Sequence, residues 1–155
     1  MIPNFIVIPG APWPVLPPGI HNATIDEVRI RYATSPHRVH LYNGLIAGLD
    51  NIFGSGCVQI YLNGSFITAK PKPKDYEVAW DPRFVNPASL DSLFLEFWRG
   101  TVEQARKYGG EYFPSHIIEA KSAKKFIDFF QQEKHTGQPK GIIRIENYLK
   151  GGGVI

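Results

Sequence analysis

Two carboxylates and a glycine-serine pair are the residues of this sequence whose types and spacing could do chemistry. Gly64-Ser65 follows a short apolar run, and Asp75 and Glu77 open the next one. Side chains of an extended strand alternate between two faces, so Asp75 and Glu77 should point to the same side. Mg²⁺ prefers oxygen ligands and is commonly held by carboxylates together with substrate phosphates. The carboxylate pair therefore predicts a site for Mg²⁺ or Mn²⁺.

The segment around these carboxylates predicts a phosphate-binding surface. Gly64 would let the backbone approach a phosphate closely, and the hydroxyl and amide of Ser65 could donate to it. Lys70, Lys72 and Lys74 follow, and their ammonium groups could neutralise a triphosphate or a nucleic-acid backbone. The alternative is that these three lysines form an ordinary solvated loop. Together the motifs predict a site for a metal-bound nucleoside triphosphate.

The rest of the sequence supplies the elements that must position these residues. Apolar residues at helical intervals predict helices, and short β-branched and aromatic runs predict strands. A helix is predicted to begin near Thr24, where Glu27 completes a capping box. Further helices are predicted over residues 37–53, 90–108 (the longest) and 123–132, and strands over residues 57–62, 76–80, 111–118 and 141–145. This order predicts an α+β fold, a short mixed sheet of about four strands flanked by helices.

Length and composition indicate one folded domain. The 155 residues are 43% hydrophobic and 20% charged, which is ordinary globular usage. Residues 1–22 contain six prolines, so this segment is predicted to be an extended strap packed on a single domain of residues 23–150. The glycine-rich residues 151–155 are expected to be a loose tail.

Other features argue against several classes of protein. The early apolar stretch is interrupted by prolines and has no basic flank, so it predicts neither a signal peptide nor a membrane helix. Cys57 is the single cysteine, which excludes an internal disulfide framework and a multi-cysteine zinc site. A reducing, cytoplasmic setting without membrane contact is expected. Cys57 precedes an apolar run and is predicted to be buried.

The order Gly-Ser, a gap of about ten residues and Asp-x-Glu between apolar residues resembles the signature of the polymerase-beta-like nucleotidyltransferase superfamily. Within that superfamily the chain is similar to a small bacterial group in three segments. These segments are LPPGIH at residues 16–21, NGSF at residues 63–66 and PKGIIRI at residues 139–145. The resemblance implies a nucleotidyltransferase-like fold, a short mixed sheet flanked by helices.

The resemblance also implies roles for individual residues. Asp75 and Glu77 would bind metal ions, and the Gly-Ser pair would hold the triphosphate. A third carboxylate normally lies on a later strand, where it helps to bind the catalytic metal and can deprotonate the attacking hydroxyl. Glu111 is the best positional match for it, and Glu119 is the second.

The implied function is metal-dependent transfer of a nucleoside monophosphate from a nucleoside triphosphate to a hydroxyl of an RNA, a protein or a small molecule. The acceptor hydroxyl would attack the α-phosphorus in line, and pyrophosphate would leave. A chain of this length seldom carries a separate substrate domain. A protein partner or a second copy in a homodimer would then help to bind the acceptor.

Two other functions stay open at the level of sequence. Members of the superfamily usually carry Asp where this chain has Glu111, and often where it has Glu77. The chain could therefore be a catalytically weak nucleotidyltransferase-fold interaction protein, such as one component of a toxin-antitoxin pair. A third hypothesis is a nucleic-acid-binding module that uses the lysines of residues 70–74, whose binding would weaken steeply as salt rises.

Overall fold

The structure is a computed structural model that describes residues 1–149. It confirms the expected α+β class. In chain order the elements are β1 (Gly19–Asn22), α1 (Ile25–Tyr32), α2 (Pro36–Gly54), β2 (Gln59–Asn63), β3 (Tyr76–Trp80), α3 (Val102–Tyr108), β4 (Gly110–Pro114), α4 (Phe126–Phe129) and β5 (Gly141–Glu146). Short 3₁₀ turns span Ser65–Ile67, Ser92–Leu95 and Phe97–Arg99. The predicted tail, residues 151–155, lies outside the described residues.

The sheet is mixed and has the strand order β1-β5-β2-β3-β4. The central strand β2 is antiparallel to both of its neighbours, β5 and β3. The outer pairs, β1 with β5 and β3 with β4, are parallel. The sheet therefore has five strands where about four were predicted. The additional strand is β1, which lies inside the proline-rich segment and pairs with β5 from Gly19 opposite Gly141.

Helices cover one face of the sheet and form the main core with it. The strand residues on this face are fully buried and alternate along each strand, as period-two geometry requires. They include Ile60, Leu62, Tyr76, Val78, Tyr112, Ile143 and Ile145, which pack with Val28, Leu45, Leu49 and Ile52 of the helices. On the opposite face a smaller cluster joins Tyr61, Ala79 and Ile142 to Phe126 and Phe130. Because Glu77 lies two residues before Ala79, its side chain belongs to this second face.

The first two helices begin where the sequence predicts. The Thr24 side chain accepts a hydrogen bond from the Glu27 amide, and the Glu27 carboxylate accepts one from the Thr24 amide. This reciprocal capping box satisfies two otherwise free amide groups at the start of α1. The Ser35 side chain caps α2 by accepting a hydrogen bond from the Arg38 amide, and Pro36 lies in the first helical turn, where its missing amide costs nothing.

The predicted long helix over residues 90–108 is wrong. The Asp91 side chain caps a 3₁₀ turn, a second 3₁₀ turn follows, and Gly100 has φ of 105° before α3 begins. A residue with this φ cannot continue an α-helix, and glycine adopts it at little cost. The longest helix among residues 1–149 is instead α2, with 19 residues.

Two further elements are shorter than predicted. The strand predicted over residues 111–118 ends at Pro114, since a proline has no amide to donate to a sheet. The amphipathic helix predicted over residues 123–132 is reduced to the four residues of α4. Ala123 has φ of 59°, a left-handed conformation that excludes it from a helix.

The proline-rich segment lies against the sheet and the turn after β2. Ile6 and Val15 form an antiparallel bridge within the segment. The Pro14 carbonyl accepts a hydrogen bond from the Ala69 amide at 3.1 Å, and the Leu16 carbonyl accepts one from the Gly141 amide at 3.0 Å. These contacts connect the segment to both sides of the surface that carries the candidate residues.

The outer edge of β4 is closed by a side chain. Gln104 of α3 accepts a hydrogen bond from the Tyr112 amide at 2.8 Å through Oε1. Its Nε2 donates to the Tyr112 carbonyl at 3.2 Å and to the Leu93 carbonyl at 2.8 Å. The amide of Gln104 thus occupies the positions that another strand would use.

None of the helices within residues 1–149 has the length and apolar character needed to cross a membrane.

Candidate functional site

Two of the predicted metal ligands lie side by side on neighbouring strands. Glu77 of β3 is the register partner of Glu111 of β4 in a parallel pair. Paired residues of parallel strands project to the same face, and their backbones are about 4.8 Å apart. Asp75 lies just before β3, two residues before Glu77. The sequence-predicted carboxylates therefore gather at the amino-terminal ends of β3 and β4.

The carboxylates repel one another. Burial raises the pKa of Glu77 to about 7, and the charges of Glu111 and Asp75 add to this effect. Burial and then the charge of Glu111 also raise the pKa of Asp75. A cation would stabilise this site, because burial raises the pKa of both acids and a neighbouring carboxylate raises it further. The donor set, all carboxylate oxygens, fits a hard divalent cation.

The three carboxylates lie near one another, but their oxygens are not arranged as a complete set of metal ligands. Among residues 1–149 no three side chains of His, Cys, Asp or Glu are arranged so that they could hold a metal ion as they stand. Glu111 has a different partner here, since the Thr101 hydroxyl donates a short hydrogen bond to its Oε2. To hold one ion together, the side chains of Glu77 and Glu111 would have to turn toward a common point.

The Gly64-Ser65 turn lies directly beside Glu77. Gly64 has φ of 97°, and a Cβ atom built on it would lie 3.4 Å from Oε1 of Glu77. The positive φ favours glycine here, because a side chain would be strained in this conformation, and the 3.4 Å distance shows that the turn lies against the Glu77 carboxylate. Ser65 opens the 3₁₀ turn Ser65–Ile67. The structure thus brings the predicted phosphate-binding turn and the predicted metal ligands together.

Lysines surround the carboxylates, but they are only partly the ones predicted. The charges of Lys74, Lys134 and Lys70 act on Asp75 and oppose the rise of its pKa. Lys70 is partly buried and its ammonium lies 5.9 Å from the ring centre of Trp13. Lys72 is exposed.

Sequence reasoning missed Lys140, the most buried cation near the site. Its side chain is 9% exposed and its ammonium donates to Oδ1 of Asn63, the last residue of β2. Burial lowers the pKa of Lys140 to about 8, and the nearby charges of Glu77 and Glu133 oppose this. Alternation puts Lys140 on the face of Ile142, two residues later, but only the pairing of β5 with β2 shows that this face meets the carboxylates.

The alternative third carboxylate, Glu119, is not brought to the site. It lies in the loop after β4, where its oxygens accept hydrogen bonds from the amides of Lys121 and Ser122 at 3.0 and 2.7 Å. These bonds lower its pKa, with the Lys121 amide as the main cause. Glu119 stabilises a turn, and the structure favours Glu111 as the third member of the cluster.

The single cysteine is a structural residue. Cys57 is fully buried, as predicted. Burial raises its pKa to about 11, so its thiol stays protonated at neutral pH. Its sulfur lies 3.2 Å from the carbonyl of Asp81 and 3.2 Å from that of Gln59. A thiol of this kind is a poor nucleophile.

Comparison with known proteins assigns the chain to a family, but the function of that family is unknown. Neither the curated proteins nor the solved structures yield a match to this chain. A family model described as a family of unknown function, DUF6932, matches residues 11–146. That stretch covers more than half of the chain and includes every carboxylate and lysine of the candidate site, and the protein belongs to this family.

Proposed function

We propose that this protein is a metal-dependent nucleotidyltransferase that moves a nucleoside monophosphate from a nucleoside triphosphate to a hydroxyl. The observation that carries the proposal is the parallel pair Glu77 and Glu111, with Asp75 beside it and the Gly64 turn in contact with Glu77. The three carboxylates repel one another and lie next to a turn and lysines suited to phosphate.

The chain connectivity supports a nucleotidyltransferase-like fold. A strand ends in the Gly-Ser turn, an antiparallel strand carries the Asp-x-Glu pair, and a helix leads to a parallel strand that supplies Glu111. This is the order in which the resembling superfamily places its phosphate turn and its three carboxylates. The side-by-side register of Glu77 and Glu111 gives that order a three-dimensional site.

Each residue of the site has a separate part in this proposal. Asp75, Glu77 and Glu111 bind Mg²⁺ or Mn²⁺, which when bound would neutralise charge on the attacking and leaving oxygens. Thr101 donates to Oε2 of Glu111, which leaves Oε1 as the oxygen that turns toward the metal and the acceptor hydroxyl. The lysines at positions 70, 74, 134 and 140 offset the negative charge of the triphosphate and of departing pyrophosphate.

The acceptor is an RNA, a protein or a small-molecule hydroxyl, and the reaction belongs in a bacterial cytoplasm, where nucleoside triphosphates are abundant. A second candidate function is that of a catalytically weak interaction protein, such as a toxin-antitoxin component. It is favoured by large apolar side chains on the surface, with Phe84, Trp98 and Val102 exposed by 78%, 67% and 66%.

Calorimetric titration with Mn²⁺ and each of ATP, GTP, CTP and UTP tests the proposal. The native protein should bind at least one of them only when the metal is present. The folded double variant Asp75→Asn, Glu77→Gln should lose this binding, whereas Glu103→Gln, at an exposed carboxylate of α3, should keep it. Absence of binding to all four nucleotides in the native protein would overturn the enzyme and favour the interaction protein.

A further inference from the structure

A buried arginine lies behind the candidate phosphate turn. Arg38, in the first helical turns of α2, is 6% exposed. Its Nη1 donates to the carbonyls of Phe66 at 2.7 Å and Tyr32 at 3.3 Å. Its Nη2 donates to the carbonyls of Thr68 at 3.0 Å and Lys70 at 2.5 Å. One guanidinium group thus fixes three alternate carbonyls of the segment that follows Gly64-Ser65.

The positive charge of Arg38 is buried without a carboxylate partner. No carboxylate within residues 1–149 lies within 4 Å of the Arg38 guanidinium, whose hydrogen bonds all go to backbone carbonyls. The guanidinium carbon also lies 5.6 Å from the ring centre of Phe66. Burial of a charge without an opposite charge is costly, and an apolar residue of similar size would serve a core better. The cost is understandable if the guanidinium keeps an irregular segment in one conformation.

The segment held in this way carries the groups assigned to phosphate. It runs from Phe66 to Lys70, so the hydrogen bonds of Arg38 fix the backbone between the turn at Ser65 and the residue that carries the Lys70 ammonium. The neighbouring His37 reaches further along the same loop, where its Nε2 forms a short hydrogen bond with the Pro73 carbonyl. The first turn of α2 therefore holds both halves of the loop that leads to Asp75.

We propose that Arg38 is the positioning residue of the triphosphate-binding turn, with His37 as its secondary partner. Arg38 touches no phosphate itself. It sets the backbone of residues 66–70 so that Ser65 and Lys70 face the same anion as the metal bound at Asp75 and Glu77. This inference rests on the proposed function, because it assigns a support for that site.

The chemistry of the guanidinium explains why arginine occupies the position. A planar fork with five N–H groups can reach several carbonyls at fixed angles, whereas the compact ammonium of lysine reaches one or two. Arg38→Lys keeps the charge and shortens the reach. Arg31→Lys is the matched control, since Arg31 also donates to two backbone carbonyls, those of Ile2 and Pro3, away from the loop.

The test combines hydrogen exchange with binding, using inorganic tripolyphosphate and Mn²⁺ as probes. In Arg38→Lys without ligand, we expect the amides of Ile67 and Thr68 to exchange about tenfold faster. Affinity for Mn²⁺-tripolyphosphate should fall roughly 10- to 100-fold, and affinity for Mn²⁺ alone should change less than about twofold, a split that general destabilisation would not give. His37→Ala, at a partly buried position, should lower the affinity for tripolyphosphate about threefold. It replaces Arg38→Lys as the test variant if Arg38→Lys does not fold.

The outcomes separate the two proposals. Arg38→Lys or His37→Ala with native exchange rates and native tripolyphosphate affinity would overturn the positioning role and leave the nucleotidyltransferase proposal standing. Equal losses in Arg31→Lys would also overturn it, because the effect would then be general. A native protein that binds Mn²⁺ but no tripolyphosphate would overturn the proposed function, and the role of Arg38 with it.

Discussion

Glu77 and Glu111 are register partners on parallel strands, so two carboxylates project side by side from a sheet face that is partly closed to water. Nothing in the packing of a core demands this pairing. Like charges directly opposite each other on neighbouring strands destabilise a sheet. The pair is understandable as part of a site whose ligand carries positive charge.

The first prediction concerns the stability of the ligand-free protein. Burial and the Glu111 charge raise the pKa of Glu77 from 4.5 to about 7, so between these pH values the folded state binds more protons than the unfolded state. Stability should therefore fall as pH rises from 4.5 to 7. Glu77→Gln removes this loss and should raise the free energy of unfolding at pH 8 by roughly 1 to 3 kcal/mol.

Urea denaturation at pH 5 and pH 8 measures this effect. Glu103→Gln, at an exposed position, provides the control and should change stability by less than about 0.5 kcal/mol at both pH values. A Glu77→Gln protein that is less stable than the native protein at pH 8 would show that the carboxylate is stabilised by its lysine neighbours and not strained.

The second prediction concerns Glu133, which like Glu77 lies close enough to Lys140 for its charge to act on that lysine. Although burial opposes ionisation, hydrogen bonds from His135 and Thr136 lower the pKa of Glu133 to about 2. This stabilisation is complete above the ordinary pKa of 4.5 and is lost as pH falls through 2. Glu133→Gln should therefore cost about 1 to 2 kcal/mol at pH 7 and much less near pH 2.

Thermal unfolding followed by circular dichroism between pH 2 and pH 7 would show this convergence. Glu146→Gln, at an exposed residue of β5, is the reference substitution. An equal cost at both ends of the pH range would mean that the loss comes from packing and not from the charge.

The third prediction compares two glycines of α2. A Cβ atom on Gly44 would lie 1.8 Å from the carbonyl oxygen of Tyr108, whereas one on Gly54 would meet no atom within 4 Å. Gly44→Ala must therefore push α3 away from α2 and should destabilise the protein by about 3 kcal/mol or more. Gly54→Ala should be neutral or stabilising by at most about 1 kcal/mol.

Urea denaturation of both variants gives the comparison directly, because helix propensity acts in the same direction at both positions. Similar free energies of unfolding for Gly44→Ala and Gly54→Ala would contradict the close approach of α2 to the end of α3.

The fourth prediction concerns Cys57. Since burial raises its pKa to about 11 and leaves it no access to solvent, the thiol should resist labelling by an aromatic disulfide reagent in the native protein. In urea the same thiol should react at least about 100-fold faster, because its thiolate fraction and exposure both rise. Rapid labelling without denaturant would place Cys57 outside the core.

The site was predictable from sequence where strand alternation decides the direction of a side chain. Alternation predicted Asp75 and Glu77 on one face, and the resemblance to the nucleotidyltransferase superfamily made Glu111, at the start of the next predicted strand, the leading third carboxylate. Lys140 and Thr101 could not be found in this way, because their positions depend on how β5 pairs with β2 and where α3 begins.

The fold was less predictable where one backbone angle overrides an apolar pattern. Apolar residues over positions 90–108 have helical spacing, yet the φ of Gly100 divides them. Strand β1 was missed because Pro17 and Pro18 precede it and suggest an irregular strap. Its pairing with β5 becomes apparent only when the end of the chain is folded back beside it.

The side chain of Gln104 at the outer edge of β4 should protect the protein from aggregation when its concentration is high. An unprotected sheet edge is a template on which other chains can add strands and so begin to aggregate. At Tyr112 an incoming strand must first displace an amide that already satisfies both backbone groups. The Gln104 side chain therefore blocks the addition of a strand at this edge. It does so next to Glu111, which with Glu77 forms the acidic pair that a ligand must reach.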